Sequence, residues 1–341
     1  MIREIIAKAE QGDVPAADEI AMLFRVSSFT EESALIQAAS RRLSARASQG
    51  RAEVHAQVGL NVAPCPNNCE FCSFAAVNGI FRASEELPLE RVLARARQFE
   101  ADGANAVFIM ATADYPFAKF IETGQEIRRN LRPATVLVAN VGDFDAGRAR
   151  RIREAGFTGV YHALRLGEGR HTGIRPERRI ATMRLAREAG LSLGTCLEPV
   201  GPEHTVEELV EKTLVTRDVQ PAYSGAARRI AIPGTALSRH GMVSEARMAH
   251  VLAVVRLAVP LSVPGNCTHE PNVTGAAAGA NLLWAESGSN PRDTAAETEA
   301  KRGMTVAECR TVLQEAEWQV LEGPSKFYTG TVPETASAVT A

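Results

Sequence analysis

Net charge is nearly absent from this chain. Among its 341 residues, 38 Lys and Arg face 40 Asp and Glu, which leaves −2. So even a balance supplies no electrostatic pull toward nucleic acid or an anionic membrane. Long apolar runs are missing too: no stretch approaches the ~20 uninterrupted apolar residues of a membrane span. Nor does Met1-Ile2-Arg3-Glu4 open the basic-then-apolar pattern of a secretory signal. Aromatic residues make up only 5% of the chain, which says little about function. Cysteine is sparse, and three of the six cysteines lie in one cluster. That distribution suits a reducing cytoplasm better than a disulfide framework.

What is present is enough apolar material for a large core, 45% of the residues. The length suits one α/β barrel with extensions. Residues 1–50 read as helices: Ile5, Ile6 and Ala9, then Ala34, Leu35, Ala38 and Ala39, fall at helical spacing, and Thr30-Glu31-Glu32 forms a helix start. From about residue 53 strands and helices alternate. Candidate strands are 53–62, 104–112, 134–140, 158–164, 191–198, 226–232, 260–264 and 280–285. Glycine stops at Gly103, Gly156 and Gly190 each precede an apolar strand, the βα rhythm of a parallel sheet. The expected fold is therefore α/β, a (βα)8 TIM-type barrel over 51–290. Helices at 1–50 precede it, and a helical extension at 291–330, with a helix from Val306 to Val320, follows. Residues 331–341 form a tail rich in Thr and Ala.

The clustered cysteines are Cys65, Cys69 and Cys72, spaced C-x3-C-x2-C on the loop after the first strand. Structural zinc takes four protein ligands, and a cluster of four irons normally takes four thiolates. Three thiolates on one loop leave a coordination position for a small molecule. The loop also lies at the strand ends that form the functional face of such a barrel. A zinc knuckle or three packed cysteines is the bland alternative, but no second ligand pair lies nearby.

The cysteine spacing followed by Phe74 resembles the radical S-adenosylmethionine (SAM) superfamily. Residues 158–203 and Gly279-Ala280-Asn281-Leu282-Leu283 resemble its biotin synthase-like branch, which also holds hydrogenase maturases and methylornithine synthase. The resemblance implies a [4Fe-4S] cluster on Cys65, Cys69 and Cys72, with SAM chelated at the open iron. It implies reductive cleavage to a 5′-deoxyadenosyl radical, which takes hydrogen from a small substrate inside the barrel. The electron would come from a donor such as flavodoxin or ferredoxin. Apolar neighbours such as Phe71 would shield the cluster.

For SAM itself, the familiar Gly-Gly-Glu turn after the second strand is absent. Met110-Ala111-Thr112-Ala113-Asp114 stands there, and the carbonyls of Ala111 and Thr112 remain candidates for the methionyl amine. Arg165 aligns with an arginine that contacts the SAM carboxylate in the maturases, and Arg179 with one in biotin synthase; a guanidinium is the natural bidentate partner of a carboxylate. Asn140, and less so Asp143, are candidates for the ribose hydroxyls; a loop cap is an equal reading. Val200-Gly201-Pro202-Glu203 resembles the segment bordering the adenine.

Cys196, ending the fifth strand, falls on one position that holds the second, sulfur-donating cluster of biotin synthase. Cys267, expected just after the seventh strand, falls near its arginine position. The remaining cysteine positions are filled by Ile109 and by Val138 or Ala139. The departure weighs against sulfur insertion and a second iron–sulfur cluster, and toward rearrangement, fragmentation or group transfer such as methyl transfer. Cys196 and Cys267 are then candidate thiols that quench or carry a radical, with packing as the alternative. His162 and His269 are candidate substrate contacts, and Asn290-Pro291-Arg292-Asp293 a candidate closure of the barrel mouth. A metal-stabilised barrel that binds a ligand without turnover is the competing function class.

Overall fold

Eight parallel strands close into a barrel in the computed structural model, which describes residues 1–300 and 302–330. They are β1 (Arg51–Gly59), β2 (Ala106–Met110), β3 (Val136–Asn140), β4 (Gly159–Tyr161), β5 (Ser192–Gly194), β6 (Tyr223–Arg228), β7 (Gly265–Cys267) and β8 (Leu282–Gly288). Neighbours in sequence are neighbours in space, and β8 closes the ring on β1 in register from Glu53↔Leu282 to Gly59↔Gly288.

Side-chain alternation sorts each strand into an outward and an inward set. Val54, Ala56 and Val58 of β1, with Val107, Ile109, Leu137 and Ala139, face the surrounding helices. Those helices include α4 (Leu89–Ala101), α5 (Phe117–Asn130), α6 (Ala146–Glu154) and α7 (Pro176–Glu188). Phe108, Val138, Tyr161, Tyr223 and Trp284 point inward and fill the barrel. His55 sits fully buried among them, its ring 5.4 Å from Phe108 and 5.6 Å from Trp284. The interior is thus packed below, and a cavity opens at the end where the strands finish.

The N-terminal helices α1 (Ile2–Gln11), α2 (Ala17–Arg25) and α3 (Glu31–Ala47) form a second layer against α8 (Val206–Asp218) and α9 (Glu245–Ala258). That layer explains why α9 is buried on every side from Met248 to Ala258. His250 joins the two layers: Ser33 Oγ lies 2.8 Å from its Nδ1 and the Leu23 carbonyl 2.9 Å from its Nε2.

Four sequence expectations need correction. The fifth strand is Ser192–Gly194 rather than 191–198, so Cys196 lies two residues past its end. The seventh strand is not 260–264, because Pro260 and Pro264 lack the N–H a ladder needs. That stretch turns, with the Val263 N–H donating to the Pro260 carbonyl (3.1 Å), and β7 begins at Gly265. Cys267 therefore lies on the strand rather than after it. The sixth strand starts three residues earlier than 226 and ends at Arg228, which frees Ile230 and Ile232 for the barrel mouth. The late helix is Val306–Glu315 only, and Gln319–Val320 instead pairs beside Arg51 and Ala52 of β1.

The chain then returns beneath the barrel. A short helix, Lys326–Thr329, closes the end where the strands begin, and the Glu53 carboxylate holds it. Glu53 accepts from the Ser325 hydroxyl and from the backbone N–H of Lys326 (2.7 Å) and Phe327 (3.2 Å). Residues 331–341, expected to form the tail, lie outside the described residues. No described helix is long and apolar enough to cross a membrane.

Candidate functional site

The three cysteines sit on a loop that folds back on itself. The Cys65 N–H donates to the Phe74 carbonyl (2.7 Å) and the Cys72 N–H to the Cys69 carbonyl (2.8 Å). Asn68 takes φ 46°, a left-handed turn asparagine tolerates, and its side chain accepts from the Val77 N–H (3.0 Å). Two distant segments brace the loop. The Glu70 N–H donates to the His171 carbonyl (2.9 Å), and the Ser73 N–H to the Pro291 carbonyl (3.0 Å). Asn290, Pro291 and Arg292 accordingly line the mouth, where the sequence suggested a closure.

All three thiols open onto one cavity of about 190 Å3 at the end of the barrel where the strands finish. Each is half-buried. Burial pushes the Cys69 thiol up to about 11 and the Cys72 thiol to about 12, Arg165 partly opposing it. Thiols so placed stay protonated until something positive displaces the proton. The residues fit an iron–sulfur group: three soft donors converge on one cavity, and the Phe74 N–H donates to Cys72 Sγ (3.4 Å), the kind of bond that tunes cluster sulfurs. Phe71 also lines this cavity, and Phe74, 4% exposed, packs beneath the loop.

Arg165 and Arg179 flank the thiols from the β4 side. Arg165 lies past the end of β4, its Nε 3.6 Å from Glu198. Glu198 and Glu168 hold it charged despite its burial. Arg179, on α7, is 4% exposed; its Nε faces Glu168 (3.4 Å) and its Nη1 faces Asp143 (3.4 Å). His162 Nε2 stands 2.8 Å from Asp143 Oδ1 and 3.1 Å from Arg179 Nη1. His162 thus borders the cavity with its Nε2 already committed to Asp143 and Arg179. Asp143, offered for ribose, is likewise spoken for by His162, Arg179 and Thr182.

Across the cavity, Asn140 donates to Gln57 Oε1 (2.9 Å), which fixes both side chains at the strand ends. The Thr112 N–H and hydroxyl are both taken by Asn61 (3.0 and 2.8 Å), and the Thr112 carbonyl accepts from the Tyr115 N–H (3.0 Å). Ala111 and Thr112 stand at the cavity wall.

Cys196 and Cys267 do not line this cavity; they meet beneath it, Sγ to Sγ at 3.2 Å, 1% and 0% exposed. His269 borders the cavity above them, stacked on Trp284 at 4.3 Å. His162 is committed to Asp143 and Arg179 rather than to this pair. Sequence reasoning missed Gln57, Glu198, Arg229 and Glu286, all cavity residues. Gly201, within the expected adenine segment, lies against that arginine: a Cβ there would stand 2.4 Å from Arg229 Nη1.

Burial, with the positive Arg179 next, lowers His162 to about 4, and burial lowers His250 to about 4. An unfolded imidazole titrates near ~6.5. Between the two values the unfolded chain binds protons that the folded chain refuses, so stability present above ~6.5 is lost as pH falls toward 4. Urea midpoints measured at about pH 7 and about pH 5 should differ, and His250→Gln should shrink that difference. Equal shifts in both proteins would remove His250 from the account.

Residues 64–214 match the family model of the radical SAM superfamily. Biotin synthase of Desulforudis audaxviator is 27% identical over 220 residues, 62% of this chain and 66% of that protein. Biotin synthase of Streptomyces avermitilis is 26% identical over 219 residues, 62% of this chain and 56% of that protein. The matches thus span less than two thirds of these curated relatives. Among solved structures, the FeFe-hydrogenase maturase HydG from Carboxydothermus hydrogenoformans superposes with a TM-score of 0.75 over 94% of this chain and 79% of its own, at 17% identity. Methylornithine synthase (PylB) superposes with a TM-score of 0.76 over 92% of this chain and 95% of its own, at 16% identity. At such identities the shared property is the barrel.

Proposed function

We propose that the chain is a radical SAM enzyme, as the match of residues 64–214 to that superfamily's model supports, that it binds a [4Fe-4S] cluster and SAM, and that it removes hydrogen from a small organic substrate held in the barrel. One observation carries the reading: Cys65, Cys69, Cys72, Arg165 and Arg179 border the same cavity at the catalytic end of the barrel. Cys65, Cys69 and Cys72 hold the cluster in this reading. When bound, the cluster and SAM supply a reducing electron and a 5′-deoxyadenosyl radical.

The protein's own part is binding, orientation and exclusion of water. Arg165 offers a permanent charge to a carboxylate, and Glu198 and Glu168 keep its fork in place. Arg179 adds positive potential behind it, itself fixed by Asp143 and Glu168. Asn140 and Gln57 present amide groups to hydroxyls. Phe71 and Phe74 keep water from the sulfurs, and Ile230 and Ile232 narrow the mouth. Of the other residues that resemblance would enlist for sulfur insertion, Ile109 faces the outer helices and Val138 is apolar. The reaction class we favour is rearrangement, fragmentation or group transfer, with an electron donor of the flavodoxin or ferredoxin kind in a reducing cytoplasm.

The test is anaerobic reconstitution with iron and sulfide. The expected result is a chromophore of about four irons per chain and, with a strong reductant, conversion of SAM to 5′-deoxyadenosine. Stable zinc on the loop with no cleavage would sink the reading and favour a ligand-binding barrel. Arg165→Gln should weaken SAM binding by about 10–100-fold, the worth of a hydrogen bond to a charged group. Equilibrium binding to the reconstituted protein checks it; unchanged affinity would release Arg165 from that role.

A further inference from the structure

Below the cavity, three metal-ligating groups converge without a purpose in the reading above. Cys196 Sγ, Cys267 Sγ and a ring nitrogen of His269 all lie within 4.8 Å of one another. We propose that they form a second, separate site for one thiophilic divalent ion, zinc or ferrous iron.

Two packed thiols sharing a hydrogen bond would explain the 3.2 Å sulfur contact alone. They would not explain the polar atoms around it. His269 Nε2 is buried without a hydrogen-bond partner, and so is the hydroxyl of Tyr161, a residue 6% exposed. The Tyr161 ring stands edge-on to His269 at 5.9 Å. A buried polar group left unpaired costs about 1–3 kcal/mol. An ion at this point would give His269 a partner and bring an electropositive centre beside Tyr161.

The donor set also fits the chemistry. Two thiolates and an imidazole suit zinc or ferrous iron, and catalytic zinc commonly keeps three protein ligands. Thiolates at ~2.3 Å from a tetrahedral ion stand about 3.8 Å apart, so the sulfurs, now 3.2 Å apart, would have to separate by about 0.6 Å. The scaffold around them is rigid. A Cβ at Gly225, where φ is +126°, would stand 2.3 Å from the Cys267 nitrogen, so only glycine lets β6 approach Cys267 this closely. Stacking on Trp284 sets the plane of His269. Since His269 and Tyr161 also border the main cavity, the fourth donor would come from that side, as water or a group of the substrate.

The site stands independently of SAM cleavage, and its test separates the two. The full chain, reconstituted anaerobically, is incubated with equimolar zinc and desalted. One zinc per chain should remain beside the iron of the cluster. A Cys65/Cys69/Cys72→Ala variant, which lacks the cluster loop's thiols, should still bind one cobalt(II) with a thiolate-to-metal charge-transfer band. Cys196→Ser and Cys267→Ser should each abolish the band. His269→Gln, which keeps both thiols, should weaken cobalt binding by more than about tenfold, the loss seen even for outer-shell partners. Circular dichroism confirms that each variant is folded, and the His269 variant decides the matter should the cysteine variants unfold. No retained cobalt in the triple variant overturns the proposal, as does undiminished binding in the His269 variant. Mass spectrometric evidence of a Cys196–Cys267 disulfide in anaerobically prepared protein would overturn it as well.

Discussion

Cys69→Ala is expected to abolish both the visible chromophore and the production of 5′-deoxyadenosine while leaving the barrel folded. Two thiolates from one loop cannot hold a four-iron cluster in place of three, so the loss should be complete rather than graded. Stability should barely move. Cys69 is half-buried, and its sulfur makes only a 3.9 Å approach to the Asn67 carbonyl. The loop is instead held by backbone bonds from Cys65, Cys72 and Ser73 that the substitution keeps. A shift within about 0.5 kcal/mol in urea unfolding is the expected size for such a site. Residual cleavage of SAM in this variant would count against the cluster; gross unfolding would mean the thiol has a structural role.

The second large effect lies at the opposite end of the barrel. Glu53→Ala should cost about 3–5 kcal/mol, the scale for removing one partner of a buried charged network. The carboxylate is fully buried, and four groups depend on it: His55 Nε2 at 2.8 Å, the Ser325 hydroxyl, and the N–H groups of Lys326 and Phe327. Without it, the short helix that closes the barrel floor loses its anchor. Phe327 and Tyr328, 2% and 0% exposed, would be freed to leave the core. Urea unfolding followed by circular dichroism measures this. Glu53→Gln, which keeps one acceptor oxygen, should lie between the variant and the parent. A loss below about 1 kcal/mol would show that the floor is held by packing alone.

The two ends were unequally legible before the structure. The cysteine loop announces itself because its three thiols lie within eight residues, and Arg165 and Asn140 because residues at or just past strand ends crowd a barrel's mouth. Strand order followed from the βα rhythm, since each glycine stop returns the chain to the sheet. Boundaries were less visible. An apolar run such as 260–264 looks like a strand until its prolines are counted against the ladder. The irregular stretch after β5, where Leu197–Val200 pairs only with β6 in a shifted register, has no local signature at all.

By itself, the sequence determined the cysteine loop, the alternation that builds the barrel and the charge available at its mouth. Those properties are local: ligand spacing, periodicity and composition survive without knowledge of the partner. Only the tertiary structure decided that Cys196 and Cys267, 71 residues apart, touch each other below the cavity. It also decided that His162 is committed to Asp143 and Arg179, and that Ser325–Phe327 returns to Glu53, 272 to 274 positions away. Closing a ring of eight strands brings distant inward-facing positions to one axis. Which of them meet depends on the register of every strand between, a quantity no single segment encodes.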